Sequence, residues 1–117
     1  MTANASVPGE APMSDTHAVL LTACADRASA QVLARALVTQ RLAACVQMLP
    51  IESVYEWHGA IEEASEILLI CKMKQQDYAE AEAAILALHS YETPEIVMLP
   101  IKAGSSAYHA WIDRVTK

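Results

Sequence analysis

The feature that most constrains this chain is the run from Leu42 to Met73, LAACVQMLPIESVYEWHGAIEEASEILLICKM, in which two extended segments meet at a glycine. The first begins as a buried strand and continues past Pro50 to Trp57. Proline has no N–H to offer a ladder, so Pro50 marks an edge, a bulge or a bend. Gly59 ends the segment in a turn, and Ala60 to Met73 returns. The pair reads as a long hairpin whose first arm exceeds the usual strand of about five or six residues. Its returning arm contains ILLIC, Ile67 to Cys71, which lacks polar alternation and calls for burial on both faces.

The flanking sequence supplies the other elements. HAVLLTAC, His17 to Cys24, suits a strand buried on both faces. Asp26 then offers an N-cap to a helix ending near Arg41, with Val32, Leu33, Ala36 and Leu37 at helical spacing. A second helix spans Gln75 to His89 with the apolar stripe Tyr78, Ala81, Ile85 and Leu88. Pro94 to Ile101 is a fourth strand closed by Pro100, and Ser105 or Ser106 caps a short last helix carrying Tyr108, Trp111, Ile112 and Val115. The order β-α-β-β-α-β-α predicts an α+β, ferredoxin-like fold: an antiparallel sheet with both βαβ helices on one face and a C-terminal helix added. The second face of such a sheet is more apolar than a monomer exposes, which predicts an oligomer.

Composition narrows the partners. At 117 residues the chain is one domain, expected over residues 17–117 behind a disordered tail at 1–16. Hydrophobic residues make up 54%, with no Phe, so the surplus is aliphatic and fits a buried subunit interface. The net charge of −6, with scattered Lys and Arg, excludes nucleic acid and keeps cationic ligands in view. Cys24, Cys45 and Cys71 are odd in number and widely spaced, reading as free thiols in a reduced, cytoplasmic protein. The N-terminal segment lacks the features of a signal peptide, and the apolar runs are far too short for a membrane span.

Three stretches, in order and at matching spacing, carry a family resemblance: RLAACV (Arg41 to Val46), YEWHGAIEEASEILLICK (Tyr55 to Lys72) and LHSYETPEIVMLPI (Leu88 to Ile101). Together they resemble the CutA family, the divalent-cation tolerance proteins. The resemblance implies a ferredoxin-like subunit in a homotrimer whose long hairpins pair with neighbouring subunits, an architecture similar to PII-type signal transducers. It also implies copper(II), or another divalent cation, as the ligand. Ser90, Met73 and Gln47 depart from the commonest family pattern, which has proline, threonine and asparagine there.

In the family fold, a cleft between subunits gathers residues matching Cys45, Trp57, Lys72, His89, Tyr91 and Glu92. Thiolate, imidazole and carboxylate suit copper, which makes Cys45, His89 and Glu92 the implied metal ligands. Lys72 points instead to a small anionic ligand, the alternative being a PII-like regulatory trimer with a metabolite or protein partner. Each residue also has a plainer reading. His89 favours a helix C-terminus, Cys45 is a buried hydrophobe, Trp57 an interface anchor, and Glu62 and Glu63 a solvated turn. His109 and Asp113, one turn apart on the last helix, are either a metal pair or a surface pair, and His58 offers an adventitious copper site. The chain has no nucleophile elbow, P-loop or H-E-x-x-H motif, so no catalytic residue is assigned and no organic cofactor is expected.

Overall fold

The structure, a computed structural model, describes residues 16–117; the tail expected over residues 1–16 lies outside them except for Thr16. The chain runs β1 (His17–Cys24), α1 (Arg27–Thr39), β2 (Cys45–Trp57), β3 (Ala60–Lys74), a 3-10 turn (Gln75–Asp77), α2 (Tyr78–Leu88), β4 (Ile96–Pro100) and α3 (Ser106–Val115). One antiparallel sheet has the order β2-β3-β1-β4, the ferredoxin-like arrangement. The fourth strand is shorter at both ends than Pro94 to Ile101, because Pro94 and Glu95 belong to the loop that leads into it.

Local chemistry sets the boundaries. Asp26 caps α1: its carboxylate accepts from the Ser29 N–H at 2.8 Å, and this bonding holds the Asp26 carboxyl below its ordinary range. The helix closes in a Schellman motif, with the Leu42 N–H on the Leu37 carbonyl at 2.9 Å and the Arg41 N–H on that of Val38 at 3.0 Å. Arg41 holds the left-handed position at φ 60°, where glycine is usual. At the hairpin tip His58 (φ 51°) and Gly59 (φ 84°) form a two-residue loop with the backbone signs of a type I′ turn. The Gly59 N–H donates to Glu56 Oε2 at 2.6 Å.

From that turn the register follows residue by residue, Trp57 opposite Ala60 and Cys45 opposite Lys72. Pro50 is paired with Ile67 on the outer strand, so its missing N–H leaves no inner ladder bond unmade. The hairpin accounts for the elongated shape, 52 × 29 × 22 Å.

Between the sheet and the pair α1 and α2 lies the core. Ala18, Leu20 and Cys24 of β1 and Leu69, Cys71 and Met73 of β3 meet Leu33, Leu37, Ala81 and Ile85. Leu20, Leu69 and Ile85 are wholly buried, each worth roughly 1.5–3 kcal/mol. The buried stripe of α1 is Ala30, Leu33, Ala34 and Leu37, which corrects the sequence reading: Val32 is 59% exposed. Leu88 also leaves the expected stripe of α2, standing half exposed in its last turn.

The opposite face is covered at one end only. There α3 lies against β3 and β1, with Tyr108 below the Lys72 ammonium and Asp113 bonded to His17. Elsewhere on this face Leu49, Val97 and Leu99 are about half exposed; Val54 and Ile61, which the register puts on the helix-side face of the hairpin, are more so. Leu69 and Cys71 of ILLIC are buried under the helices, while Leu68 and Ile70 on the other face are partly open.

Candidate functional site

The junction from α2 to β4 forms one wall of the site. His89 caps α2 in extended geometry, φ −76° and ψ 141°. Its Nε2 lies 2.7 Å from the Ala23 carbonyl oxygen. A carbonyl only accepts, so Nε2 carries the proton and Nδ1 is free to accept the Tyr91 N–H at 3.1 Å. Both ring nitrogens are therefore engaged. The His89 and Tyr91 rings lie 4.8 Å apart, and Tyr91 OH donates to Glu66 Oε2 at 2.8 Å. Burial first, then the bond to this carboxylate, pushes the Tyr91 phenol well above its ordinary value of 10.

Between this junction and the outer part of β2 is an open cleft of about 850 Å³, within the size range of small-molecule sites. Trp57, Tyr55 and Ser53 line one side, Tyr91, Glu92 and Glu95 another, with Glu66 contributed by β3. Three of the six expected site residues, Trp57, Tyr91 and Glu92, thus share it, and His89 sets Tyr91 from behind.

Cys45 and Lys72 lie elsewhere within the chain. They face each other in the ladder, and Glu66 is six positions back along β3 from Lys72, about 20 Å at strand rise. Lys72 Nζ donates to Gln47 Oε1 at 3.0 Å and sits 5.6 Å from the Tyr108 ring centre. Within one chain Cys45, His89 and Glu92 do not meet, and no group of three His, Cys, Asp or Glu side chains suited to a metal occurs among the described residues. Burial pushes the Cys71 thiol up to about 12 and raises that of Cys24, so neither is a ready thiolate near neutrality.

The other pair read from the sequence, His109 and Asp113, converges on His17. Asp113 Oδ1 is 2.8 Å from His17 Nε2, and the two imidazoles lie 4.2 Å apart. They dock α3 on the sheet with Asp113 still exposed at the surface, and they are not part of a three-ligand metal cluster among the described residues. Four of the cleft residues named above, Ser53, Tyr55, Glu66 and Glu95, were not singled out in the sequence. The signal available for Glu66 was ladder pairing counted outward from the turn, which sets it opposite Ile51.

A ferredoxin-like sheet extended by a long hairpin, with a cleft at its helix-to-strand junction, defines the class of protein. Residues 18–115 match the family model described as CutA1 divalent ion tolerance protein, and the chain belongs to that family. It is 39% identical over 95 residues to Protein CutA of Mus musculus, covering 80% of this chain and 54% of that protein. It is 41% identical over 88 residues to the divalent-cation tolerance protein CutA of Thermus thermophilus, covering 74% and 85%. The chain spans about half the length of the mammalian relatives it matches. Among solved structures, the periplasmic divalent cation tolerance protein CutA from Archaeoglobus fulgidus superposes with a TM-score of 0.85 at 35% identity, over 86% of this chain and 99% of that one. CutA from Xylella fastidiosa gives 0.85 at 36%, over 89% and 100%. Relatives carry both chloroplastic and periplasmic names. No helix among the described residues is long and apolar enough to cross a membrane.

Proposed function

We propose that this chain acts in divalent-cation tolerance, copper(II) foremost, as a homotrimer that binds the ion in the clefts between its subunits. The supporting observation is the surface left open in a single chain. Leu49, Val97 and Leu99 on the open sheet face, with Val54 and Ile61 on the projecting hairpin, leave large apolar side chains exposed that a neighbouring copy would cover.

In this reading Glu92 meets the ion from the cleft, and Cys45 reaches it only from an adjoining copy. His89 joins the shell through Nε2 by moving its proton to Nδ1, which gives up the bonds to both the Ala23 carbonyl and the Tyr91 N–H. The protein reads as a binding protein and not an enzyme: His89 and Tyr91, the groups suited to acid–base work, are engaged in bonds within the cleft wall. The acids on the cleft walls weigh against a small anion as ligand. Free thiols, two of them buried, favour a reducing compartment such as the cytoplasm.

Copper(II) titration of the untagged protein, with His58→Ala as background to remove tip binding, tests the reading. Saturable binding at one ion per subunit, abolished by Cys45→Ala or His89→Ala in a protein that still assembles, is expected. Binding that survives both substitutions refutes the ligand set.

A further inference from the structure

Among the described residues, every charged side chain on the cleft walls is an acid: Glu66, Glu92 and Glu95. No Lys or Arg occurs between Arg41 and Lys72, or between Lys74 and Lys102, the two stretches that build nearly all of the cleft. Glu62, directly opposite Tyr55 in the ladder, adds a further carboxylate beside the rim. A positively charged ligand therefore meets no competing Lys or Arg on these walls. The remaining lining is aromatic, from Tyr55, Trp57 and Tyr91. Tyr91 is fixed in advance by two bonds, its hydroxyl on Glu66 and its N–H on the His89 ring.

A bare metal ion takes an oxygen or nitrogen shell and gains little from three aromatic rings. An ion with alkyl groups on a positive head uses both parts of such a site: carboxylates attract the charge, and aromatic rings bind the desolvated cation through their quadrupoles. We propose that this cleft binds an organic ammonium ion, its head against Glu66 and Glu92 and its alkyl groups on Trp57, Tyr55 and Tyr91. The inference rests on the cation-binding reading of the same cleft, but it requires neither Cys45 nor a free His89 nitrogen.

The test uses the full, untagged protein in its native assembly at low salt. Choline is the probe and 3,3-dimethylbutanol, its uncharged carbon isostere, the control; binding is read from the indole N–H signal of Trp57. Choline should shift that signal saturably and the isostere should not. Glu66→Gln, which keeps an acceptor for Tyr91, should weaken choline binding roughly tenfold by that signal, and Trp57→Leu, which removes the signal, should weaken it roughly tenfold by titration calorimetry. Glu80→Gln, an exposed acid paired with Lys117 on α2, should leave it unchanged. Equal binding of choline and isostere overturns the inference, as does no binding, or an equal effect of Glu80→Gln, which would mean general attraction to an acidic protein. Choline binding lost while copper(II) still binds through Cys45 and His89 removes this inference alone. Choline binding retained without copper(II) binding removes the metal assignment alone.

Discussion

Arg41 allows the sharpest energetic prediction. It is a non-glycine residue at φ 60° closing α1, a conformation that costs an L-residue about 1–2 kcal/mol. Its guanidinium is aimed at the last carbonyls of α3: Nε donates to Val115 O at 3.4 Å, and one terminal nitrogen to Arg114 O at 3.4 Å and Thr116 O at 3.3 Å. The Arg41 carbonyl in turn accepts the Lys117 N–H at 3.0 Å. These bonds are long and mostly exposed, so their worth is that of a cation at a helix C-terminus, about 0.3–1 kcal/mol. Arg41→Ala loses the cation and keeps the strain, and should destabilise the protein by about 0.5–1 kcal/mol. Arg41→Gly loses the same cation but relieves about 1–2 kcal/mol of strain. Against that stands about 0.5–1 kcal/mol of extra chain entropy, which leaves it close to the wild type. Glycine should therefore be the more stable variant, the reverse of the order inside a helix. Urea unfolding at one fixed protein concentration measures both. In about 1 M salt the wild-type-to-alanine gap should shrink and the alanine-to-glycine gap should not. If alanine equals or exceeds glycine, the left-handed strain assigned to Arg41 is wrong.

Three further outcomes follow from named contacts. Tyr91→Phe should cost about 1 kcal/mol for the lost bond to Glu66, measured by urea unfolding. In the wild type the phenol is held protonated in the folded state, so its contribution is intact below pH 10 and is lost as pH rises above it; alkaline difference spectra should show one late-titrating tyrosine that the variant lacks. Gly104→Ala would drive a methyl into the His109 ring, loosening α3 by about 1–3 kcal/mol, and His109→Ala in the same chain should restore most of the loss. Burial first, then His17, holds His109 below its ordinary value of 6.5, so α3 docking should weaken as pH falls below about 6.5, read from exchange of α3 amides. Gly59→Ala meets no atom within 4 Å but sits at φ 84°, so a loss of about 1 kcal/mol without a change of fold is expected from thermal unfolding.

Much of the architecture was legible because its signals are local. His17–Cys24 reads as a strand from its aliphatic run, Asp26 as a cap from its place before the helix, and Gly59 as the only residue suited to that turn. The face of α1 was less legible. Alanines and valines surround Leu33 and Leu37 on both sides, so spacing alone admits two stripes, and packing against the sheet selects the one with Ala30 and Ala34. Arg41 and His58 carry no sequence mark of positive φ, which the surrounding bonds impose on them. For the site, Tyr91, Glu92 and Trp57 were legible and do share a cleft. Glu66 was hidden by its place at the edge of ILLIC, where it reads as the polar end of a buried strand. The separation of Cys45 from His89 is a long-range consequence of the ladder; only pairing counted from the turn exposes it.

The central claim is that this chain is one third of an assembly whose clefts hold a cation. A native mass spectrum of the untagged protein, purified without chelator, tests it most directly. Three chains of 12.7 kDa, about 38 kDa, with added mass matching one bound ion per subunit, is the predicted result. A single species at 12.7 kDa would contradict the claim, because the open sheet face and the projecting hairpin would then have no neighbour to cover them.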